Sequence, residues 1–157
     1  MKIDSTSQYH VERIGSLLGN IYSAGLREKD VFDYLKISKM SWWNLKNNKA
    51  GVSINLYLTQ AELYVSRIND EVDLKESYST RVWSKTVGKM TALIYSARIK
   101  EADVYEQVGI SRPTWLQFKY GDLSKNRMQY VFDQAKKIIM QNLDEVRCKA
   151  GYVRIIE

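Results

Sequence analysis

Apolar residues recur along most of the chain at intervals of three and four, the spacing that is typical of amphipathic α-helices. One clear run has steps of four, three and four: Trp83, Val87, Met90 and Ile94. Two longer runs, INLYLTQAELYVSRI and RMQYVFDQAKKIIMQNL, predict long helices that begin after the candidate N-caps Ser53 and Ser124. These patterns predict an all-α protein.

Short helices are predicted around the stretch VGISRPTWLQFKYG, which holds the only proline of the chain. Proline lacks an N–H and is tolerated in the first turn of a helix, so Pro113 marks the start of a helix over residues 112–120. Ser111 is placed to cap that helix, Gly109 to form a turn with positive φ, and Gly121 to end the helix in a left-handed conformation. The preceding EADVYEQV has a helical apolar face and predicts a second short helix.

The chain contains an internal repeat. Residues 14–47 align without a gap to residues 87–120 at an offset of 73, with twelve identities in 34 positions, including an IYSA block in each copy. The apolar pattern continues beyond the aligned block with a shift of one residue, which pairs Ala61 with Ala135 and Val65 with Ile139. The repeat indicates a duplicated fold in which each copy has a long first helix, two short helices and a longer fourth helix.

The duplication predicts two tandem modules of four to five helices. The first module covers residues 1–68 and the second covers residues 80–157. Between them, residues 69–79 (NDEVDLKESYS) are polar and without helical periodicity, which predicts a linker. The tail GYVRIIE is ambiguous between strand and coil.

The two copies resemble the helix-turn-helix DNA-binding domains of the phage Cro and repressor type. The closer match is KEADVYEQVGISRPTWLQFKYG, with an apolar second helix, a glycine turn, a serine cap, a recognition helix and a closing glycine; REKDVFDYLKISKMSWWNLKNN follows the same order less closely. The resemblance implies that the chain binds double-stranded DNA through two non-identical motifs and regulates transcription, with repression by occupancy the expected mode.

A helical wheel of the second recognition helix separates a core side from an outward side. Thr114, Trp115 and Phe118 fall on the core side, and Trp42 is the corresponding core residue of the first copy. The outward positions of the two copies, which we predict to read bases, are Arg112, Pro113, Leu116 and Gln117, and Lys39, Met40, Trp43 and Asn44. Arginine and lysine suit guanine, and glutamine and asparagine suit adenine, in the major groove. The two faces differ, so a single chain is expected to prefer an asymmetric site with similar half-sites, in an orientation that the linker decides.

Candidate phosphate contacts surround the same helices. They are Ser111, Lys119, Tyr120, Lys125, Arg127, Lys100, Ser38, Lys46 and Asn47. The two serines enter through the resemblance. Glu28 and Glu101 occupy phosphate-contacting positions of the family, but a carboxylate repels phosphate, so they are not predicted to make that contact.

Two features depart from the family pattern. Phe32 and Tyr105 stand where the family has a small residue in the second helix, which predicts a wider helix crossing or rings that turn outward. Lys36 replaces the turn glycine in the first copy. The first copy is therefore expected to be the poorer reader of DNA.

Composition and charge fit a DNA-binding protein and exclude several other classes. Hydrophobic residues make up 45% of the chain, and 24 basic against 18 acidic residues give a net charge of +6, which favours polyanionic partners. One cysteine, Cys148, and one histidine, His10, cannot build a structural zinc site. No paired nucleophile and base or glycine-rich phosphate loop is present, so neither an enzyme nor a cofactor is expected.

The localisation is predicted from the absence of membrane-directed segments. The first ten residues, MKIDSTSQYH, have no signal-peptide core, and no apolar run is long enough to span a bilayer. These features favour a cytoplasmic, nucleoid-associated protein without membrane contact.

Trp43 and Leu116 leave three interpretations open. Each side chain could touch a thymine methyl, pack against the other repeat, or mark a protein interface. The last interpretation leads to an alternative function, a protein-interaction module that inhibits or adapts another regulator on a helix-turn-helix scaffold, and it allows a homodimer or a protein partner through exposed aromatic residues.

Overall fold

The computed structural model describes residues 5–49 and 54–151. Within these ranges the chain forms eight α-helices and no β-strand, which confirms the all-α fold. The helices are α1 (Ser5–Ser23), α2 (Glu28–Tyr34), α3 (Lys39–Lys46), α4 (Ile54–Lys75), α5 (Tyr78–Ser96), α6 (Glu101–Val108), α7 (Arg112–Lys119) and α8 (Lys125–Lys149). The predicted cap Ser53 and the tail beyond Gly151 lie outside the described residues.

The predicted boundaries of α7 agree with the structure to within one residue. The hydroxyl of Ser111 accepts a hydrogen bond from the backbone N–H of Thr114, and Pro113 stands in the first turn. Gly109 and Gly121 have φ values of 87° and 76°, as expected for left-handed turn residues. Ser124 stands at the N-cap of α8, but its side chain makes no capping hydrogen bond.

The repeat is visible in the element order. Helices α1, α2 and α3 begin 73 residues before α5, α6 and α7. We call α1–α4 the first half and α5–α8 the second half, and each has its own apolar cluster. Trp42 and Trp115 are each 2% exposed, as predicted for core residues. Trp83 is half-buried and packs against the cluster of the second half.

The segment predicted to be a linker, residues 69–79, is mostly helical, which its lack of helical periodicity did not predict. Helix α4 continues to Lys75 and α5 begins at Tyr78, which leaves only residues 76–77 between them. Two polar residues of this segment, Asn69 and Asp73, hold the guanidinium of Arg81, a residue that is only 4% exposed.

Arg81 lies in a polar site built by α1, α4 and α5. Its Nε donates to Asp73 Oδ1 at 2.9 Å, and its Nη2 donates to Asn69 Oδ1 at 3.0 Å. The same Asn69 oxygen accepts from Ser23 Oγ at 2.9 Å. Hydrogen bonds from Lys85 and from Arg81 lower the pKa of Asp73, so the carboxylate stays charged opposite the two cations. A buried cation with several partners holds the end of α4 against the start of α5.

Helices α1 and α5 pack antiparallel, and a side chain near the start of each helix donates a hydrogen bond to a carbonyl at the end of the other. Gln8 Nε2, near the start of α1, donates to the carbonyl of Ser96 at the end of α5 at 2.8 Å. Arg81, near the start of α5, donates to the carbonyl of Ser23 at the end of α1. Gln8 aligns with Arg81 and Ser23 aligns with Ser96 in the repeat, at the offset of 73. The two hydrogen bonds are therefore equivalent, as they would be across a twofold axis.

Glycines allow the backbones of α1 and α5 to touch. A Cβ added to Gly88 would lie 2.5 Å from the carbonyl oxygen of Gly19, and one added to Gly19 would lie 2.2 Å from that of Gly88. A Cβ on Gly15 would lie 2.7 Å from the carbonyl oxygen of Ala92. The alignment pairs Gly15 with Gly88 and Gly19 with Ala92. The contacts thus repeat about a pseudo-twofold axis, and the two halves pack like the subunits of a symmetric dimer within one chain.

Candidate nucleic-acid interface

The side chains predicted to read bases lie on the solvent side of α3 and α7. Seven are exposed and Asn44 is half-buried; the exposed ones are Arg112, Pro113, Leu116, Gln117, Lys39, Met40 and Trp43. The opposite sides of the two helices carry buried residues, namely Trp42 and Leu45 on α3, and Trp115 and Phe118 on α7. Each helix therefore has a core face and a free face, as the wheel predicted.

The cationic residues at the predicted base-reading positions are Arg112 on α7 and Lys39 on α3, and both are exposed. Within residues 5–49 and 54–151, no carboxylate lies within ion-pair distance of Arg112 or Lys39. On α3, the Nζ of Lys49 lies 4.9 Å from the centroid of a Trp43 ring, a cation–π contact at the edge of the same face. The faces can therefore offer charged and amide donors to an external acceptor.

A glutamate at the start of α2 and of α6 anchors the following helix. In the first half, Glu28 Oε1 accepts from Trp42 Nε1 at 2.9 Å and pairs with Lys46 Nζ at 2.8 Å. In the second half, the corresponding distances from Glu101 Oε1 to Trp115 Nε1 and Lys119 Nζ are 3.0 and 2.8 Å. Sequence reasoning missed this contact. The signal was present, because glutamate, tryptophan and lysine are identical in the two copies at the same spacing.

This anchor corrects the placement of two predicted phosphate contacts. The side chains of Lys46 and Lys119 are only 22% and 13% exposed, and each ammonium is held by a glutamate. Lys119 also lies over the ring of Tyr22, with its Nζ 5.0 Å from the centroid. Both lysines brace the end of a helix against its neighbour, so neither offers a free ammonium to a phosphate.

The remaining phosphate candidates are exposed. Lys100, Lys125 and Arg127 have no carboxylate within ion-pair distance in the part of the chain that the structure describes, and Tyr120 is 68% exposed. The exposed serines already cap their helices. Ser38 Oγ and Ser111 Oγ accept backbone hydrogen bonds at 3.0 and 3.3 Å and also bond a neighbouring hydroxyl.

Asn47 also has an internal partner. Its Nδ2 donates to the carbonyl oxygen of Trp43 at 2.8 Å, within the last turn of α3. The side chain is exposed, but one of its donors supports the end of the helix. Asn47 is thus a weaker candidate for phosphate binding than its counterpart Tyr120.

Two aligned tyrosines tie each outward-facing helix to the other half. Tyr22 Oη donates to the carbonyl of Lys119 at the end of α7, and Tyr95 Oη donates to that of Lys46 at the end of α3, each at 3.4 Å. Burial raises the pKa of Tyr22 to about 12 and also raises the pKa of Tyr95, so both hydroxyls keep their protons as donors. The relative placement of α3 and α7 therefore follows the pseudo-twofold axis of the α1–α5 contact.

The aromatic residues of α2 and α6 and the lysine at the turn of the first half are the two departures from the family pattern. The rings of Phe32 and Tyr105 are half-buried, and each lies 6.3 Å from the ring of the tryptophan on the next helix, Trp42 or Trp115, tilted by 38°. Lys36 adopts a φ of 58°, so a side chain occupies the left-handed position that Gly109 takes in the second half.

Within residues 5–49 and 54–151, no group of three or more histidine, cysteine, aspartate or glutamate residues could hold a metal ion. The Nε2 atom of His10 lies 3.0 Å from the carbonyl oxygen of Leu45, which gives this histidine a structural partner. No helix among the described residues is long and apolar enough to cross a membrane. Neither the family models, nor the curated proteins, nor the solved structures with which the chain was compared contain a match to it.

Proposed function

We propose that the chain is a sequence-specific regulator that binds double-stranded DNA through two tandem helix-turn-helix modules, with repression as its mode of action. The proposal rests chiefly on one observation. Helices α3 and α7 each turn a free, cation-bearing face to solvent while a buried tryptophan fixes the opposite side. The net charge of +6 supports a polyanionic partner.

The outward face of α7 offers the better set of base-reading groups. Arg112 can bond the O6 and N7 atoms of guanine, and Gln117 can bond the N6 and N7 atoms of adenine. On α3 the corresponding groups are Lys39 and Asn44, of which Asn44 is half-buried. The two faces carry the same kinds of hydrogen-bonding group but differ in side-chain length and in their apolar residues. The two half-sites are therefore similar and not identical.

The pseudo-twofold relation between the halves favours inverted half-sites. Equivalent hydrogen bonds join α1 to α5, and equivalent tyrosines hold the ends of α3 and α7. A twofold-symmetric protein matches a palindromic site, with half-site centres about 34 Å apart for one turn of DNA. One chain should therefore occupy one imperfect palindrome and block access to it, which is repression by occupancy.

Selection of binding sites from random duplexes, followed by native mass measurement of the selected complex, tests the proposal. We expect one chain on an imperfect inverted repeat. Failure to select any sequence above random DNA would contradict sequence-specific binding. A direct repeat, or two chains on a perfect palindrome, would contradict the proposed arrangement of the two halves and leave sequence-specific binding intact.

Variants separate base contacts from phosphate contacts. Arg112→Ala should cost about 1 to 3 kcal/mol and relax the preference at one base pair. Lys125→Ala should weaken all sequences alike, whereas Lys75→Ala, which removes an exposed charge from the end of α4, serves as the control. For Arg112→Ala, equal loss of affinity on specific and random DNA would show that Arg112 touches only phosphate.

If about six phosphates are contacted, affinity should fall roughly a thousandfold between 50 and 200 mM salt.

A second candidate function, a protein-interaction module, is favoured by apolar exposure on the same faces. Met40, Trp43 and Leu116 are 67%, 47% and 37% exposed. Aromatic residues and methionine are enriched at protein interfaces. Trp43→Ala and Leu116→Ala separate the two functions, because they should change DNA affinity under the first proposal and leave it unchanged if these faces bind only a protein.

A further inference from the structure

The second half contains an apolar cavity between α5 and α8 that the proposed DNA-binding function does not use. Its volume is about 150 Å³. The apolar part of its wall includes Met90 and Leu93 from α5, and Phe132 and Met140 from α8. Lys89 and Lys136, one from each helix, also line it. The cavity thus combines an apolar wall with two cations.

The corresponding position of the first half carries an ion pair. In the repeat, Arg13 aligns with Thr86, another residue of the cavity wall, and Glu62 aligns with Lys136. Arg13 Nη2 donates to Glu62 Oε1 at 2.6 Å and to Thr59 Oγ1 at 3.1 Å, which joins α1 to α4. In the second half the long arginine is replaced by a threonine and the acid by a lysine. The side chains at these aligned positions therefore differ between the halves, and the wall of the cavity is formed by residues that the first half does not share.

Lys89 and Lys136 are the charged residues of the cavity wall. Both are exposed, and in the described part of the chain no carboxylate lies within ion-pair distance of either ammonium. Two cations that line one apolar cavity attract an anion, because an opposite charge beside either ammonium lowers its electrostatic energy. The charge that complements this site is negative.

We propose that this cavity binds a small amphipathic carboxylic acid. A cavity of 150 Å³ accommodates an apolar group of about six carbons, the size of a benzene ring. That group would lie against Met90, Leu93, Phe132 and Met140, and the carboxylate would pair with Lys89 and Lys136. A ligand that binds only the folded chain stabilises it by mass action. Since α5 also packs against α1 at Gly88, such a ligand stabilises the helix that joins the two halves.

Methyl NMR of the full-length chain labelled at its methionine methyl groups tests the proposal without DNA. Hexanoate is the probe, and hexan-1-ol and hexylammonium are the matched uncharged and cationic probes. Hexanoate should shift the Met90 and Met140 signals and leave that of Met40, which is exposed on α3, unchanged. Hexan-1-ol should bind about tenfold more weakly, the effect expected for loss of a charged hydrogen bond. Equal binding of the acid and the alcohol, or no shift at Met90 and Met140, would overturn the proposal.

Charge and volume variants complete the test. Lys89→Glu and Lys136→Glu should each abolish the preference for hexanoate over hexan-1-ol, while Lys137→Glu, the same change at the next residue of α8, should preserve it. Thr86→Leu adds apolar volume at the wall without changing charge and should abolish binding of both probes. Thermal unfolding in the absence of ligand checks that each variant folds. Loss of the preference in Lys137→Glu, or full binding by a folded Thr86→Leu chain, would contradict the site. None of these results depends on whether the chain binds DNA.

Discussion

The two halves of the chain share the polar contacts that hold their short helices and differ in the apolar residues behind those helices. In the second half, the ring of Trp83 meets that of Phe118 edge-on at 5.3 Å, and Phe118 lies 5.2 Å from Trp115. The residues aligned with Trp83 and Phe118 in the first half are His10 and Leu45, joined by a contact of His10 Nε2 to the carbonyl oxygen of Leu45. The same pair of positions therefore holds two aromatic rings in one half and a smaller, partly polar pair in the other.

The shared contacts explain why this difference is tolerated. Both halves tie the start of the second helix to the third helix through a glutamate, a tryptophan and a lysine, with corresponding distances that agree to within 0.1 Å. Both halves also cap their third helix, α3 or α7, with a serine, Ser38 or Ser111. The polar contacts position the short helices, and the apolar residues behind them are free to vary in size. We expect the first half to be the less stable of the two.

The largest effect should come from removing the central tryptophans. Trp115→Ala should cost about 3 to 5 kcal/mol of unfolding free energy, because it opens a cavity beside an aromatic neighbour. Trp42→Ala should cost less, since Leu45 replaces the second ring there and leaves fewer ring contacts to lose. Urea unfolding of the two variants measures the difference. A larger loss for Trp42→Ala would reverse the proposed order of stability.

The contact between the halves should be the next most sensitive feature. Gly88→Ala should cost about 1 to 3 kcal/mol, because its new methyl group meets the backbone of α1 and forces the two helices apart. Gly25→Ala is the control. Its methyl would meet nothing within 4 Å, so it should cost only the strain of its positive φ, about 1 kcal/mol. Equal unfolding free energies for the two variants would show that the α1–α5 approach has no special cost.

The glutamate anchors should have similar, smaller effects in the two halves. Glu28→Gln and Glu101→Gln each remove the charge that pairs with a lysine and should cost about 1 kcal/mol, at the low end for charged hydrogen bonds because these carboxylates are partly exposed. Tryptophan fluorescence and denaturant unfolding report the change. If only one half responds, the two anchors are not energetically equivalent despite their matching geometry.

The smallest expected effect has opposite signs in the two halves. Lys36→Gly should stabilise the chain by up to about 1 kcal/mol, because glycine adopts the left-handed conformation at that turn without the Cβ penalty. Gly109→Lys should destabilise it by a similar amount. Thermal unfolding of both variants gives the comparison, with Lys149→Gly, at the end of α8, as a control for losing a lysine side chain. A loss of stability in Lys36→Gly would mean that the lysine side chain itself contributes to the fold.

Much of the fold could be predicted from the sequence because its signals are local. The period of apolar residues marks the helices, and proline and glycine limit α7, since Pro113 lacks an N–H and Gly121 accepts a positive φ. The burial of Trp42 and Trp115 and the exposure of the opposite faces follow from the same helical geometry. The repeat could also be predicted from the sequence, because finding it requires only that the chain be aligned with itself.

Tertiary contacts decided what no local pattern could show. Residues 69–75 have no apolar period, yet they are helical, since Asn69 and Asp73 bind a buried arginine from the next helix. Lys119 looked like a free cation, but the fold brings Glu101 to its ammonium. The pseudo-twofold packing depends on the close approach of distant glycines. The period of apolar residues along one helix determines which of its residues face the core and which face solvent. The polar partner of a side chain, or a close contact between two backbones, depends instead on which segment, distant in sequence, packs beside it.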